Sequence, residues 1–248
     1  MIPIKNSHEI DAMRKSARLV ARSLGLAGSR IRPGLRTVEL DEEIADFIYS
    51  NDAKPAFKNF NGYPANICVS VNDQIVHGIP GNRVLEEGDI VSVDVGVELE
   101  GYFGDSARTF AVGQISNEKQ RLLTVTEAAL IAGIEQAKEG NRLHDIGHAV
   151  QQTAEQAGFS VVRDLVGHGI GRALHEPPEV PNFGNPGSGP RLQKGMVLAI
   201  EPMINLGSHE IEVENDRWTI ITRDGRPSAH FEHTIVITDR DPEVLTKE

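Results

Sequence analysis

Four carboxylates stand in places where a carboxylate is costly. Asp94 closes the apolar run Asp89-Ile90-Val91-Ser92-Val93-Asp94, and Asp105 follows 11 residues later, across a turn expected near Glu100-Gly101. Glu201 lies in Met196-Val197-Leu198-Ala199-Ile200-Glu201-Pro202, and Glu232 in the strand-like stretch His230-Phe231-Glu232-His233-Thr234. An acid inside such a run is expensive to bury unless it is paired or bound to metal. Strands paired antiparallel around the turn would set the two aspartates roughly opposite each other, with Cβ atoms about 5 Å apart. Any one of these acids alone reads as an ordinary salt bridge or loop carboxylate. Four that converge cannot all stay ionised without cations. A pair of metal ions would relieve the repulsion.

Three histidines sharpen this reading. His168 sits in Gly167-His168-Gly169-Ile170-Gly171, His175 in Leu174-His175-Glu176-Pro177-Pro178, and His77 in Ile75-Val76-His77-Gly78-Ile79-Pro80. Glycine-rich turns that close apolar strands let backbone and substrate approach closely. His8, His144, His148, His209, His230 and His233 lack that setting and read as ordinary structural residues, those beside Glu232 least securely.

The elements that must position these groups come in two similar sets. Ile10, Met13, Ala17, Val20, Ala21 and Leu24 recur at helical spacing, with Ser7 as the expected N-cap and Pro33-Gly34 as the stop. Leu40, Ile44, Phe47 and Ile48 mark a second helix, with Thr37 as its expected cap. From about residue 66 to 112 short β-branched runs take over. The pattern then repeats. Asn117 and Gln120 suggest a capping box for a helix running to Gly140, and Ile146, Val150 and Ala157 a further helix ended by Gly158. Strand-like runs return after it. Gly34-Leu35-Arg36-Thr37-Val38-Glu39-Leu40 matches Gly140-Asn141-Arg142-Leu143-His144-Asp145-Ile146 at an offset of 106 residues. The segment from Glu87 to Asp94 matches that from Lys194 to Glu201 at an offset of 107. The expected fold is α+β, a single catalytic domain over 1–248 with an internal pseudo-repeat of roughly 7–112 and 117–240. Its two halves would be related by a pseudo-two-fold and share one central antiparallel sheet and one site.

Composition narrows the function. At 39% hydrophobic and 25% charged residues the chain can build a core and is not of the disordered class. A formal net charge of −11 has the wrong sign for a phosphate-binding face. No specific nucleic-acid partner is expected. The lone Cys68 permits no intrachain disulfide, consistent with a reducing compartment. The N-terminal stretch lacks the apolar run and cleavage site of a signal peptide, and no segment approaches the roughly 18 apolar residues of a membrane span. The expectation is a cytoplasmic monomer without membrane contact.

The segments NGYPANICVSVNDQIVHGIP, GDIVSVDVGVELEGYFGDSARTF, LVGHGIGRALHEPPEVPNF, GMVLAIEPM and SAHFEHTIVIT together resemble type I methionine aminopeptidases of the short bacterial kind, over nearly the whole chain. The resemblance implies the pita-bread (creatinase/aminopeptidase) fold and a dinuclear metal site. Asp94, Asp105, His168, Glu201 and Glu232 would be the ligands, with Asp105 and Glu232 bridging. Two divalent ions are implied, with cobalt, manganese, iron and zinc all suited to one imidazole and four carboxylates. His77 and His175 would contact substrate, and Glu201 would also shuttle protons. Tyr63, Cys68, Phe57, Phe60, Leu174 and Trp218 would line a slot for the methionine side chain, although each also reads as plain core. The implied reaction removes the initiator methionine from nascent polypeptides when the second residue is small. The implied partners are N-termini of nascent or unfolded chains, with transient ribosome association compatible with that role.

Two departures bear on the slot. Leu174 stands where the family often has an aromatic residue, and Phe57 and Asn61 where related bacterial enzymes carry Cys and His. Three rival readings are weaker. A prolidase or Xaa-Pro aminopeptidase would usually carry a large N-terminal domain, whereas the recognisable fold here begins near Met1. A metal-free binding module on the same fold would have lost ligands. A serine or cysteine hydrolase lacks an evident His partner for Cys68.

Overall fold

The computed structural model of the chain describes residues 2–247. Helices α1 (Ser7–Arg30) and α2 (Thr37–Tyr49) lead into strands β1 (Lys54–Pro55), β2 (Cys68–Val71), β3 (Gln74–Val76), β4 (Ile90–Leu99) and β5 (Tyr102–Ala111). Helices α3 (Asn117–Gln136) and α4 (Leu143–Gln156) follow. Then come β6 (Ser160–Val161), β7 (Gly167–Gly169), β8 (Glu176–Val180), β9 (Val197–Ile200) and β10 (Met203–Asn205). The chain finishes with β11 (Ile211–Val213), β12 (Ile220–Thr222), β13 (Ser228–His230), β14 (His233–Val236) and β15 (Glu243–Val244). No helix among the described residues is long and apolar enough to cross a membrane.

The expected helices form, but three caps move. Asn6, not Ser7, caps α1, accepting the Glu9 N–H while Glu9 accepts that of Asn6. Thr37 is the first residue inside α2, because its hydroxyl is engaged across the fold with the Gly81 backbone. The Arg36 N–H goes instead to the Glu39 carboxylate at 3.0 Å. Ser116, not Asn117, caps α3, which ends at Gln136 before reaching Gly140. At the head of α4 the Asp145 carboxylate accepts the Arg142 N–H at 2.7 Å. The acid three residues after each arginine thus satisfies an orphan donor at a helix start, which accounts for that part of the repeated motif.

The two largest of four apolar clusters are separate. One joins Leu24, Leu40, Ile44 and Ile48 to Val69, Val91, Val93 and Val97 of the first set of strands. The other joins Leu122, Leu130, Ile146 and Ala154 to Leu198, Ile200, Ile204 and Ile235 of the second. Strand β4 pairs with β5 through a tight turn in which Glu100 and Gly101 both have positive φ, at 54° and 78°. That is the twist a two-residue hairpin needs.

The single sheet expected from the sequence is divided. The hydrogen-bonded ladders form sheets of four, three, three and five strands, every pairing antiparallel. Between β5 and the β13–β14 segment, side chains replace a ladder. The Thr109 hydroxyl accepts from His230 N and donates to His230 O, at 2.9 and 2.8 Å. The Thr234 hydroxyl does the same for Asp105, at 3.2 and 2.7 Å. One direct backbone hydrogen bond, from Glu232 N–H to Ala107 O at 2.9 Å, lies between them. These bonds fix Asp105 relative to Glu232.

Candidate metal centre and active site

The β4–β5 turn closes on the pair Leu99–Tyr102, so Gly96 lies opposite Asp105 and Asp94 opposite Ala107. The two aspartates are therefore diagonal neighbours offset by two residues rather than opposite, because a turn centred on Glu100 and Gly101 places Ala107, not Asp105, across from Asp94. Side chains alternate with period two, so the offset keeps both on one face. The other two acids are not held by a second hairpin of this kind. Strand β9 pairs with β14, whose first residue comes 33 positions after the last of β9, and the ladder stops at Ile200–His233. Glu201 and Glu232 both lie just past its end, in the breaks before β10 and β14.

His168 comes from β7, paired to Ala199 of β9. Its Nδ1 lies 3.0 Å from Gly169 O, which assigns the proton to Nδ1 and leaves the Nε2 lone pair free. That Nε2 is 3.6 Å from Glu201 and 3.9 Å from Asp105. Donor atoms of Asp105, His168 and Glu232 all lie within 4.8 Å of one another. Burial pushes the His168 imidazole down to about 3, helped by neighbouring His175, so it is neutral and ready to bind a cation. Burial raises Asp94 to about 7. Burial and then mutual repulsion raise Asp105, Glu201 and Glu232 well above the usual carboxylate range. Buried oxygens of Asp94, Asp105 and Glu232 have no hydrogen-bond partner. Orphan carboxylate oxygens around a neutral imidazole nitrogen fit a divalent cation.

The cluster forms one side of a cavity of about 160 Å³. Phe57, Phe60, Tyr63, Cys68, Leu174 and Trp218, each expected at the slot, all line it. They also belong to one apolar cluster with Met13 and Ile170, so the core and pocket readings of Phe57 and Phe60 both hold. Tyr63 meets Trp218 edge-on at 5.2 Å, and Phe60 meets His175 edge-on at 5.1 Å. The Trp218 backbone is held by Asp216, whose carboxylate accepts the main-chain N–H at 2.8 Å. Gly96 makes room for the Phe57 ring, which a Cβ at residue 96 would approach to 2.6 Å.

His77 and His175 also line the cavity. The His175 ring lies 4.2 Å from the His168 ring, tilted by 55°, without joining the compact donor cluster. Its loop is fixed by Glu176, which accepts the Arg172 and Ala173 N–H groups and pairs with buried Lys5. Burial lowers both imidazoles, and His77 is lowered further by His175, so both are neutral donors.

Whole-chain comparisons agree with this geometry. The model of metallopeptidase family M24 matches residues 11–239. The chain belongs to metallopeptidase family M24. It is similar to a methionine aminopeptidase of Clostridium perfringens, 52% identical over 246 residues and 99% of each chain. The crystal structure of a methionine aminopeptidase from Thermotoga maritima superposes with a TM-score of 0.99 at 46% identity, covering 100% of both chains. A prolidase from Pyrococcus furiosus shares the fold alone, at a TM-score of 0.80 and 23% identity over 99% of this chain and 65% of that one. As an M24 member with the pita-bread fold, the chain is a hydrolase that binds divalent metal.

Two residues at the site were not singled out from sequence. Asn61, noted only as a departure, lines the cavity with φ 49°. His230, read as structural, is buried with an unpartnered Nε2 lying 3.8 Å from Glu201. Its spacing two residues before Glu232 was the available signal.

Proposed function

We propose that this M24 peptidase hydrolyses the first peptide bond of polypeptides that begin with methionine. The supporting observation is the lining of one cavity by the carboxylate–imidazole cluster, by apolar side chains and by the neutral imidazoles of His77 and His175. Asp94, Asp105, His168, Glu201 and Glu232 would hold two divalent ions. Manganese, iron, cobalt and zinc all suit that donor set. Bound ions supply Lewis-acid polarisation of the scissile carbonyl and a lowered pKa for water.

The chain's own groups do the rest. Glu201 takes the proton of the attacking water and delivers it to the departing amine. His175 donates a hydrogen bond to the carbonyl oxygen as negative charge develops there. His77 steadies the leaving side of the bond. The apolar walls suit a flexible thioether, which gains from sulfur–aromatic contact. The second substrate residue falls between the cluster and His77, where room is small, so Ala, Gly or Ser is accepted and Leu, Lys or Glu rejected. Nascent-chain N-termini in the cytoplasm are the proposed substrates, met by a monomer with at most transient ribosome contact.

Metal content of the purified protein, with turnover of Met-Ala-Ser against Ala-Pro, tests this. Peptide series Met-X-Ser and Z-Ala-Ser add the specificity. Norleucine at Z should be partly tolerated, since a methylene of misfit is worth about 1–3 kcal/mol. Equal turnover of Met, Lys and Glu at Z refutes a methionine slot.

A further inference from the structure

We propose that Tyr63, besides walling the cavity, is a positioning residue for His77, acting through the backbone of Gly78. The inference rests on the proposed hydrolysis of methionyl peptides, in which His77 contacts substrate.

His77 has φ 59°. A non-glycine residue in that left-handed region is strained and stays there only when its surroundings over-determine it. The chain leaves β3 at Val76, and His77 is the next residue, so the conformation at 77 decides where the imidazole points. The restraint comes from the peptides on either side of Gly78. Gly78 N–H donates to the buried Ser70 hydroxyl at 3.1 Å. Gly78 O accepts from Val69 N at 2.9 Å and from the Tyr63 hydroxyl at 2.9 Å. The same hydroxyl lies 3.2 Å from Ile67 O, so it bridges the entry to β2 and the turn after His77. Any side chain at 78 would run into the Val69 carbonyl, and glycine lets the turn lie flat on β2. Burial raises the Tyr63 phenol and keeps its proton available to donate. The ring meanwhile packs on Trp218 through its edge. Ring and hydroxyl therefore have separable duties, the first toward the slot and the second toward His77.

Tyr63→Phe keeps the ring and deletes only the hydroxyl. Loss of one buried hydrogen bond should lower kcat for Met-Ala-Ser about tenfold, with KM within about twofold. Ser70→Ala, which frees the other peptide, should give the same pattern. In a His77→Ala background Tyr63→Phe should cost nothing further, because the group being positioned is gone. A second readout needs no turnover: in metal-free protein labelled with ¹³C-histidine, the His77 ring resonance should shift or double in both single variants. A Tyr63→Phe loss that is fully additive with His77→Ala overturns the proposal. So does a rise in KM at constant kcat with altered preference for methionine over norleucine, or an unmoved His77 resonance. Wild-type protein that leaves Met-Ala-Ser intact defeats the proposed function, while the resonance still decides the link between Tyr63 and His77.

Discussion

Replacing Gly96 by alanine should shrink the slot from behind. Gly96 lies in β4 opposite Asp105, and its missing Cβ faces the Phe57 ring. A methyl there would sit 2.6 Å from one ring carbon, 3.0 Å from another, and 3.0 Å from the Ala56 Cβ. Carbon atoms pack at about 3.5–4.0 Å, so the ring edge must withdraw by roughly 1 Å. The strands cannot simply part, because Ala56 N–H donates to Gly96 O at 2.8 Å. The ring's yielding side is the cavity of about 160 Å³ that it lines. Overpacking of this kind costs about 1–3 kcal/mol of stability. A misfit of about one methylene in the slot lowers kcat/KM for methionyl peptides by roughly 10–200-fold. Most of that should appear in KM, with metal content unchanged, since no proposed ligand moves. Phe57→Leu in the same chain should restore both stability and KM. Thermal unfolding, metal analysis and kinetics on Met-Ala-Ser check each part. Unchanged KM in Gly96→Ala, or no rescue by Phe57→Leu, refutes this account of the cavity wall.

His168→Ala removes the only imidazole among the proposed ligands and should lower bound metal and turnover together, read by metal analysis beside the assay. Glu201→Gln should lower kcat by about 10²–10⁴-fold with the fold intact by circular dichroism, the range for loss of a general base. His175→Ala should cost about 10²–10³-fold in kcat without loss of metal; metal loss there would move His175 into the ligand set. Burial raises Asp94 to about 7, and burial with repulsion raises Asp105, Glu201 and Glu232, so the folded metal-free chain holds protons that the unfolded chain has released. Its stability should therefore fall as pH rises from about 7 to about 8, by up to about 1.4 kcal/mol per pH unit for each proton held; urea unfolding of chelator-treated protein showing the opposite slope would refute the cluster.

Much of the fold was legible because its signals are local. Helical spacing from Ile10 to Leu24 and from Leu40 to Ile48 places α1 and α2 almost to their ends. The helix starts were less legible because capping is a competition between neighbours. Ser7 and Asn6 both offer a suitable oxygen, and Asn6 takes the Glu9 N–H. Thr37 looks like a cap but spends its hydroxyl on Gly81, 44 residues away in sequence, a partner that no local pattern indicates. Thr109 and Thr234 carry no sequence mark for the same reason, since their partners lie 121 and 129 residues away.

At the site, residue types were more legible than their arrangement. Acids embedded in apolar strands are conspicuous because burying them is costly, and that cost does not depend on register. The register itself depends on where the hairpin turn closes, and one pair of residues decides it. Closure at Leu99–Tyr102 puts Asp94 diagonal to Asp105, yet period two leaves both on the same face, so the chemistry survives an error of two residues. An error of one would have pointed Asp105 to the opposite face. Glu201 and Glu232 obey a different constraint. They sit beyond the last pair of the β9–β14 ladder, and β5 reaches this segment through the hydroxyls of Thr109, Thr234 and Ser106 and one backbone hydrogen bond. An unbroken ladder would give the backbone more bonds but hold the side chains in strict alternation. A joint made by threonines satisfies the peptide groups of Asp105 and His230 while letting the chain bend. That bend turns Glu232 toward Asp105 and His168, which is where a shared cation would need it.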